Sequence, residues 1–280
     1  MICFVIQNSG DAKVKKIIVC LILTALLPVA LMVGCSSSTP SNPSSVSTPS
    51  GFGTPTPTFT PTATPASYTT VQLTPQAMVN LNSAANYAVL SYAGITNSGA
   101  TTVCGSLGTF PNASVDGGII VICGGSRQVA ASPAATAETD LGTAYTDAAG
   151  RTGGAVIPAG ADIGGQTLYP GIYTDTGNLY LTSADMTINA RGNANAVFII
   201  QVTGNLIVAS ARQVHLTNGA QAANIFWAVA GLCSLDTTSS FAGNVMAHTA
   251  VTFNTGASLE GRALASTQNV TFLANNITFP

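Results

Sequence analysis

The sequence predicts a mainly β fold, a β-solenoid of about 18–28 residues per coil with one long α-helix packed along a side. Three observations predict it. Four C-terminal segments, "NAVFIIQVTGNLIVAS", "ANIFWAVAGLCSLDT", "GNVMAHTAVTFNT" and "GRALASTQNVTFLAN", can be laid over one another. The last two are offset by 18 to 19 residues and the earlier ones by about 20 and 28, the extra residues falling in "ARQVHLTNGAQ". Within each segment apolar residues alternate with small or polar ones, as on a strand with one face inside. Only Ser132 to Arg151 follows a helical period instead.

Taken in order, the chain starts with "KVKKIIVCLILTALLPVALMVGC", a basic stretch, an apolar run from Ile17 to Val33 and small residues before Cys35. That order is a secretory signal over residues 1–35. Its "LMVGC" end resembles the bacterial lipoprotein box, which implies a lipidated Cys35 at the mature N-terminus; Met32 stands where that box usually has Leu. Residues 36–70 hold seven prolines and no charge, including "TPTPTFTPTATP". Such chain cannot form a core and favours extended, polyproline-like linker. The folded domain is assigned to 71–280, with packing beginning near Val79.

Inside the domain, Ser132 reads as a helix N-cap followed by Pro133 in the first turn. Ala134, Ala137, Leu141, Ala144, Tyr145 and Ala148 recur at helical spacing, and Gly150 ends the pattern. In "AVTFNT", Val251 and Phe253 point one way and Thr252 and Asn254 the other. Val270 with Phe272, and Cys233 with Leu235, continue the inward column.

Composition narrows the function. The chain is 46% hydrophobic and only 6% charged, against roughly 25% charged in an ordinary soluble domain. All three lysines precede residue 20, and from Val71 onward nine acids face five arginines. No basic stripe is present to neutralise phosphates, so nucleic acid is not an expected partner. Asp116, Asp162, Asp175, Asp185, Asp236 and Glu260 are scattered rather than paired on adjacent coils, as polysaccharide cleavage would require. Neither His215 nor His248 has a Cys or carboxylate at metal-ligand spacing. An enzyme, a metal and a cofactor are therefore not expected.

Several stretches occur in a recognisable order over about 200 residues: "NYAVLSYAGITNSGATTVCGSLGTFP", "TAYTDAAGR", "LYPGIYTDTGNLYLT", "INARGNANAVFIIQV", "NGAQAANIFWAV", "FAGNVMAHTAVTFNTGASLEGRALAS" and "NVTF". In these the chain resembles the microbial ice-binding (antifreeze) proteins. The resemblance implies a right-handed, roughly triangular, discontinuous solenoid, its N-terminal coils beside the C-terminal ones, and a flat side that meets ice. The family's loose Thr-Ala/Gly-x-Thr/Asn signature stands once, at Thr249, Ala250, Val251 and Thr252. Thr267, Asn269 and Thr271 fall at corresponding places in the next coil, and Thr96, Asn97, Thr101 and Thr102 are the N-terminal candidates. Cys104 and Cys123 depart from the pattern of many relatives, and two alternatives stay open for them: a disulfide formed after export, or two buried thiols.

Threonine on stacked strands has a physical reason to hold ice-like water. Neighbouring strands lie about 4.8 Å apart and alternate residues about 6.8 Å apart, both close to lattice repeats of ice. A β-branched side chain presents a methyl and a hydroxyl with little rotamer freedom to lose. Any one Thr is equally well an ordinary β-former on a solvated face; the argument rests on the column. The expected partner is thus an ice surface, with a membrane reached only through the lipid at Cys35 and the domain monomeric. The competing reading is an envelope-tethered adhesin or glycan-binding module, which exposed aromatic platforms would favour.

Overall fold

The structure is a computed structural model that describes residues 75–280. The expected export signal with Cys35, and the linker over 36–70, lie outside the described residues. Val79, only 2% exposed, is the first buried side chain. Among the described residues no helix is long and apolar enough to cross a membrane.

All strand pairs are parallel, and they form three sheets that make the sides of a solenoid. On the first side, which carries the helix, nine strands follow one another in space: Arg127–Val129, Ser106–Thr109, Tyr87–Ser91, Ser258–Ala265, Ser240–Ala247, Ile225–Val229, Phe198–Val202, Gly171–Asp175 and Ala155–Ile157. The second side runs Leu179–Leu181, Leu206–Val208, Cys233–Leu235, Val251–Phe253, Val270–Leu273 and Ile95–Ser98. The third begins with Thr167–Leu168, Met186–Asn189 and Val214–Thr217 and continues, across a Gln213–Ser240 bridge, into the starts of the two eight-residue strands. Asn276–Thr278, Thr101–Cys104 and Ile119–Ile122 complete it.

The chain order is discontinuous in space. Val89 pairs with Ala263, Ile95 with Val270 and Thr102 with Asn276, so the first coil docks on the last. After the Arg127–Val129 strand the chain is at one end of the stack, while Ala155–Ile157 lies at the other. Nine strands span about 38 Å, and the helix Ser132–Gly150 covers about 28 Å of that return. Its place follows from topology: the segment must cross the stack, and an amphipathic helix can do so while burying a sheet.

Coil length takes two values for a local reason. Ile172, Ile199 and Phe226 face one another at steps of 27 residues, whereas Phe226, Asn244 and Arg262 follow at steps of 18. In the long coils the third-side strand ends and a turn through 218–224 leads to the helix side. In the short coils one strand bends round the corner at Gly243 and Gly261, with φ of 117° and 154°. A Cβ on Gly261 would sit 1.9 Å from the Gly243 carbonyl oxygen, so only glycine permits this stacking.

The interior is closely packed. Phe253 and Phe272 pack with ring centroids 5.1 Å apart, and Trp227, fully buried, packs at 4.8 Å from Phe241 and donates its Nε1–H to the Ala242 carbonyl at 3.0 Å. Cys233 is buried in this core, where burial pushes its thiol pKa up. The central strands of the helix-side sheet are buried on both faces. Phe198 and Ile200 point inward, while Ile199, Phe226, Met246 and Leu264 meet Ala134, Ala137, Leu141, Ala144 and Ala148 of the helix. The helix start differs from expectation: Ala131 holds the cap position, and its carbonyl accepts from the N–H groups of Ala134 and Ala135 at 3.0 and 3.1 Å. Ser132 makes no cap bond because it already lies within the first turn.

Cys104 and Cys123 are joined by a disulfide, with Cα atoms 5.0 Å apart, across the last two strands of the third side.

Candidate functional site

The helix covers the outer face of the first side's central strands, which leaves the other two sides open. The third side is mixed in character. Its outer row of Ser240, Ser258, Asn276 and Thr102 runs on to exposed Ile120 and lies beside Glu260. Its other half carries Asp185, which pairs with Arg212 at 3.7 Å and His215 at 3.4 Å.

The second side is regular. Leu206, Cys233, Val251, Val270 and Ile95 point inward, as do Val208, Leu235, Phe253 and Phe272. Between them one residue per strand points outward: Tyr180, Ile207, Ser234, Thr252, Thr271 and Thr96, in register across the sheet. All six are uncharged, and each is at least partly exposed. Four consecutive members are hydroxyl residues of small and nearly equal height. Carboxylates mark the two ends of the row. Asp162 bridges beside Tyr180, and the Asp116 Oδ2 accepts the Asn97 N–H at 3.2 Å. Burial works against the Asp162 carboxylate, yet hydrogen bonds from Thr182, Gly164 and Ser183 hold its pKa below the ordinary range.

Hydrogen bonds divide the hydroxyl row in two. The Thr271 Oγ1 accepts from Asn269 Nδ2 at 2.9 Å and from Thr96 Oγ1 at 3.0 Å. The hydroxyls of Ser234 and Thr252 make no protein hydrogen bond among the described residues and are left to solvent. The remaining candidates lie elsewhere. Thr267 is exposed at the corner, where its Oγ1 donates to the His248 carbonyl at 2.5 Å. Thr249 is half-buried at the preceding corner. Thr249 and Thr267 occupy the corners that lead into these two strands. Ala247 pairs with Ala265 but Val251 with Val270, so the later corner holds one extra residue.

Asn97 and Thr101 need correction. Asn97 is in register with Phe272 and serves the corner: its Nδ2 donates to the carbonyls of Gly99 at 2.9 Å and Gly117 at 2.7 Å. Thr101 is 0% exposed, donates to Asn97 Oδ1 at 2.7 Å and accepts the Asn275 N–H at 3.1 Å. Neither side chain joins the outer row. Thr102 does face outward, but on the third side, opposite Asn276.

A uniform hydroxyl row on a rigid parallel sheet, with the first coil docked on the last and a helix sealing another side, is a specific combination. Residues 89–278 match the family described as Ice-binding-like. The chain belongs to this ice-binding-like family. It is 36% identical to the ice-binding protein of Flavobacterium frigoris (strain PS1), over 91% of this chain and 96% of that one. It is 38% identical to the ice-binding protein of a Colwellia species, over 72% of this chain and 84% of the relative. Among solved structures, the crystal structure of an ice binding protein from an Antarctic biological consortium superposes with a TM-score of 0.71 at 41% identity, covering 74% of this chain and 93% of that one.

Within this ice-binding-like fold, Ser234, Ile207 and Tyr180 extend the row and went unnoticed in the sequence. The signal for Ser234 was present. It stands between Cys233 and Leu235, both read as inward, so alternation alone turns it outward. The longer coils hid Ile207 and Tyr180, because their register depends on turns whose length varies.

Proposed function

We propose that this protein adsorbs to ice through its second side, and that Ser234, Thr252, Thr271 and Thr96 form the centre of the contact. One observation carries the reading: these four stand in register on four adjacent strands with no charged residue among them. Strand stacking spaces them about 4.8 Å apart. Each threonine adds a methyl that excludes mobile water and a hydroxyl that holds an ordered one. Behind the row the Phe253–Phe272 pair and fully buried Val251 and Val270 keep the backbone from yielding, so the spacing survives contact with the crystal. A protein fixed on the surface forces the growing ice front to bulge between neighbours. Curvature raises the free energy of the ice and lowers the temperature at which it advances. No chemical step is involved.

Export and tethering belong to the same proposal. With the residues before Cys35 removed and Cys35 lipidated, the linker would hold the domain away from the envelope with its ice-facing side free. The names of the relatives support the ice partner, and the lipoprotein-like "LMVGC" supports the anchor. A single acyl chain anchors only marginally, so a multiply acylated Cys35 is required. Cys35→Ser should release the protein or stop its processing.

The direct test is to grow a single ice crystal in a solution of fluorescently labelled protein. Incorporation of label on defined crystal planes is the expected result. Exclusion of the label from the ice, as for an ordinary solute, contradicts the proposal.

A further inference from the structure

We infer that Asn269 is a positioning residue for the ice contact: together with Thr96 it fixes Thr271 so that the Thr271 hydroxyl hydrogen points away from the protein. The inference rests on the reading of the second side as the ice-adsorbing surface and goes beyond it by assigning unequal roles within the row.

The argument is one of hydrogen-bond capacity. A threonine hydroxyl has one hydrogen and two lone pairs. At Thr271 two donors converge on the oxygen, Asn269 Nδ2 at 2.9 Å and Thr96 Oγ1 at 3.0 Å. With the lone pairs engaged, the only free function left is the hydroxyl's own hydrogen. Val270 and Phe272, both 0% exposed, close off the inside, so that hydrogen is directed to solvent. Thr96 has spent its hydrogen on Thr271 and keeps its lone pairs for the outside. The two oxygens, 3.0 Å apart, therefore present a donor and an acceptor side by side on neighbouring strands. One ordered water can accept from Thr271 and a second can donate to Thr96, so the pair offers ice both kinds of hydrogen bond that its waters make.

The preceding coil gives an internal comparison. Thr252 pairs with Thr271 in register, but Ala250 stands beside Asn269, and the Thr252 hydroxyl has no protein partner among the described residues. Its hydrogen is free to rotate. Asn269 is thus the feature that distinguishes a fixed hydroxyl from a loose one on the same sheet. Thr96 lies 175 residues from Thr271, and its bond crosses the seam where the first coil docks on the last. The clamp therefore also keeps the row continuous where the chain is not.

The test uses the protein with isotope-labelled threonine. Scalar couplings report the Thr271 χ1 population in solution without ice, and thermal hysteresis and the melting temperature are recorded beside them. The parent should show one dominant rotamer. In Asn269→Ala and in Thr96→Val the minor rotamers should rise roughly five-fold, the effect of losing about one net hydrogen bond. Hysteresis should fall to the level of Thr271→Val, with the melting temperature kept. A single Thr271 rotamer in both variants overturns the inference. So does parent-like hysteresis in both while Thr252→Tyr abolishes it, a result that leaves the surface reading standing. Parent-like hysteresis in Thr252→Tyr removes that reading, and the inference with it, whatever the couplings show.

Discussion

Gln201 and Ala148 join the helix to the sheet: the Gln201 Nε2 donates to the Ala148 carbonyl at 2.8 Å. The same amide reaches the Arg151 carbonyl at 2.7 Å, and its oxygen accepts from Thr174 Oγ1 at 2.6 Å. Gln201 is 6% exposed, so these bonds are made in a largely dry setting and satisfy carbonyls that the helix end leaves open. Replacing Gln201 by Leu should cost about 1–3 kcal/mol. Hydrogen exchange should accelerate first in the last turn of the helix. An unchanged unfolding midpoint would show that water serves these carbonyls equally well.

Glu138 makes stability depend on pH. Both of its carboxylate oxygens are buried without a hydrogen-bond partner, and burial pushes its pKa up to about 8. The folded state therefore favours the protonated form, while the unfolded chain titrates near the ordinary value of about 4.3. The sign follows from the folded value lying above the unfolded one. The group's favourable contribution is complete below the unfolded pKa, shrinks as pH rises through the interval, and is lost above about 8. Glu138→Gln should flatten this slope and stabilise the protein at pH 9 by about 2–4 kcal/mol relative to the parent. Equal pH slopes in variant and parent would contradict it.

The disulfide should act locally. Cys104 and Cys123 are 19 residues apart and tie the final strand of the third side to its neighbour. Replacing both by Ser should cost about 2–4 kcal/mol. Exchange should rise first in Ile119–Ile122, with the Val251–Phe253 coil unaffected. A uniform loss of protection along the stack would instead mark the terminal coil as essential to the whole.

Inward and outward residues of one strand should behave differently. Val270→Ala removes a buried side chain beside Phe272 and should cost about 1–3 kcal/mol. Thr252→Tyr places a large ring on the surface and should change stability by about 0.5 kcal/mol or less. Thermal unfolding of the two variants checks the orientation of the sheet.

Strict alternation made the coils legible in sequence. Val251, Phe253, Val270 and Phe272 pointed inward, and Thr252 and Thr271 were thereby turned outward together. The helix was equally plain, because Ala134, Ala137, Leu141 and Ala148 mark one stripe. Corners were the weak point. Asn97 and Thr101 carry the same polar groups as the outer row, and only the turn geometry, which brings Gly99 and Gly117 within reach of Asn97 and buries Thr101, ties them to the corner. The Thr96–Thr271 contact joins residues 175 apart and depends on docking of the first coil, which no local pattern encodes.

The most direct measurement of the central claim is thermal hysteresis of the Thr252→Tyr, Thr271→Tyr double variant beside the parent, at matched concentration and with folding confirmed by unchanged melting. The rings would stand proud of the row and prevent the flat contact without touching the buried Val251 and Val270. The account predicts that hysteresis is lost in the double variant and reduced in each single one. Hysteresis equal to the parent's in a folded double variant would contradict it and move the contact to another side of the solenoid.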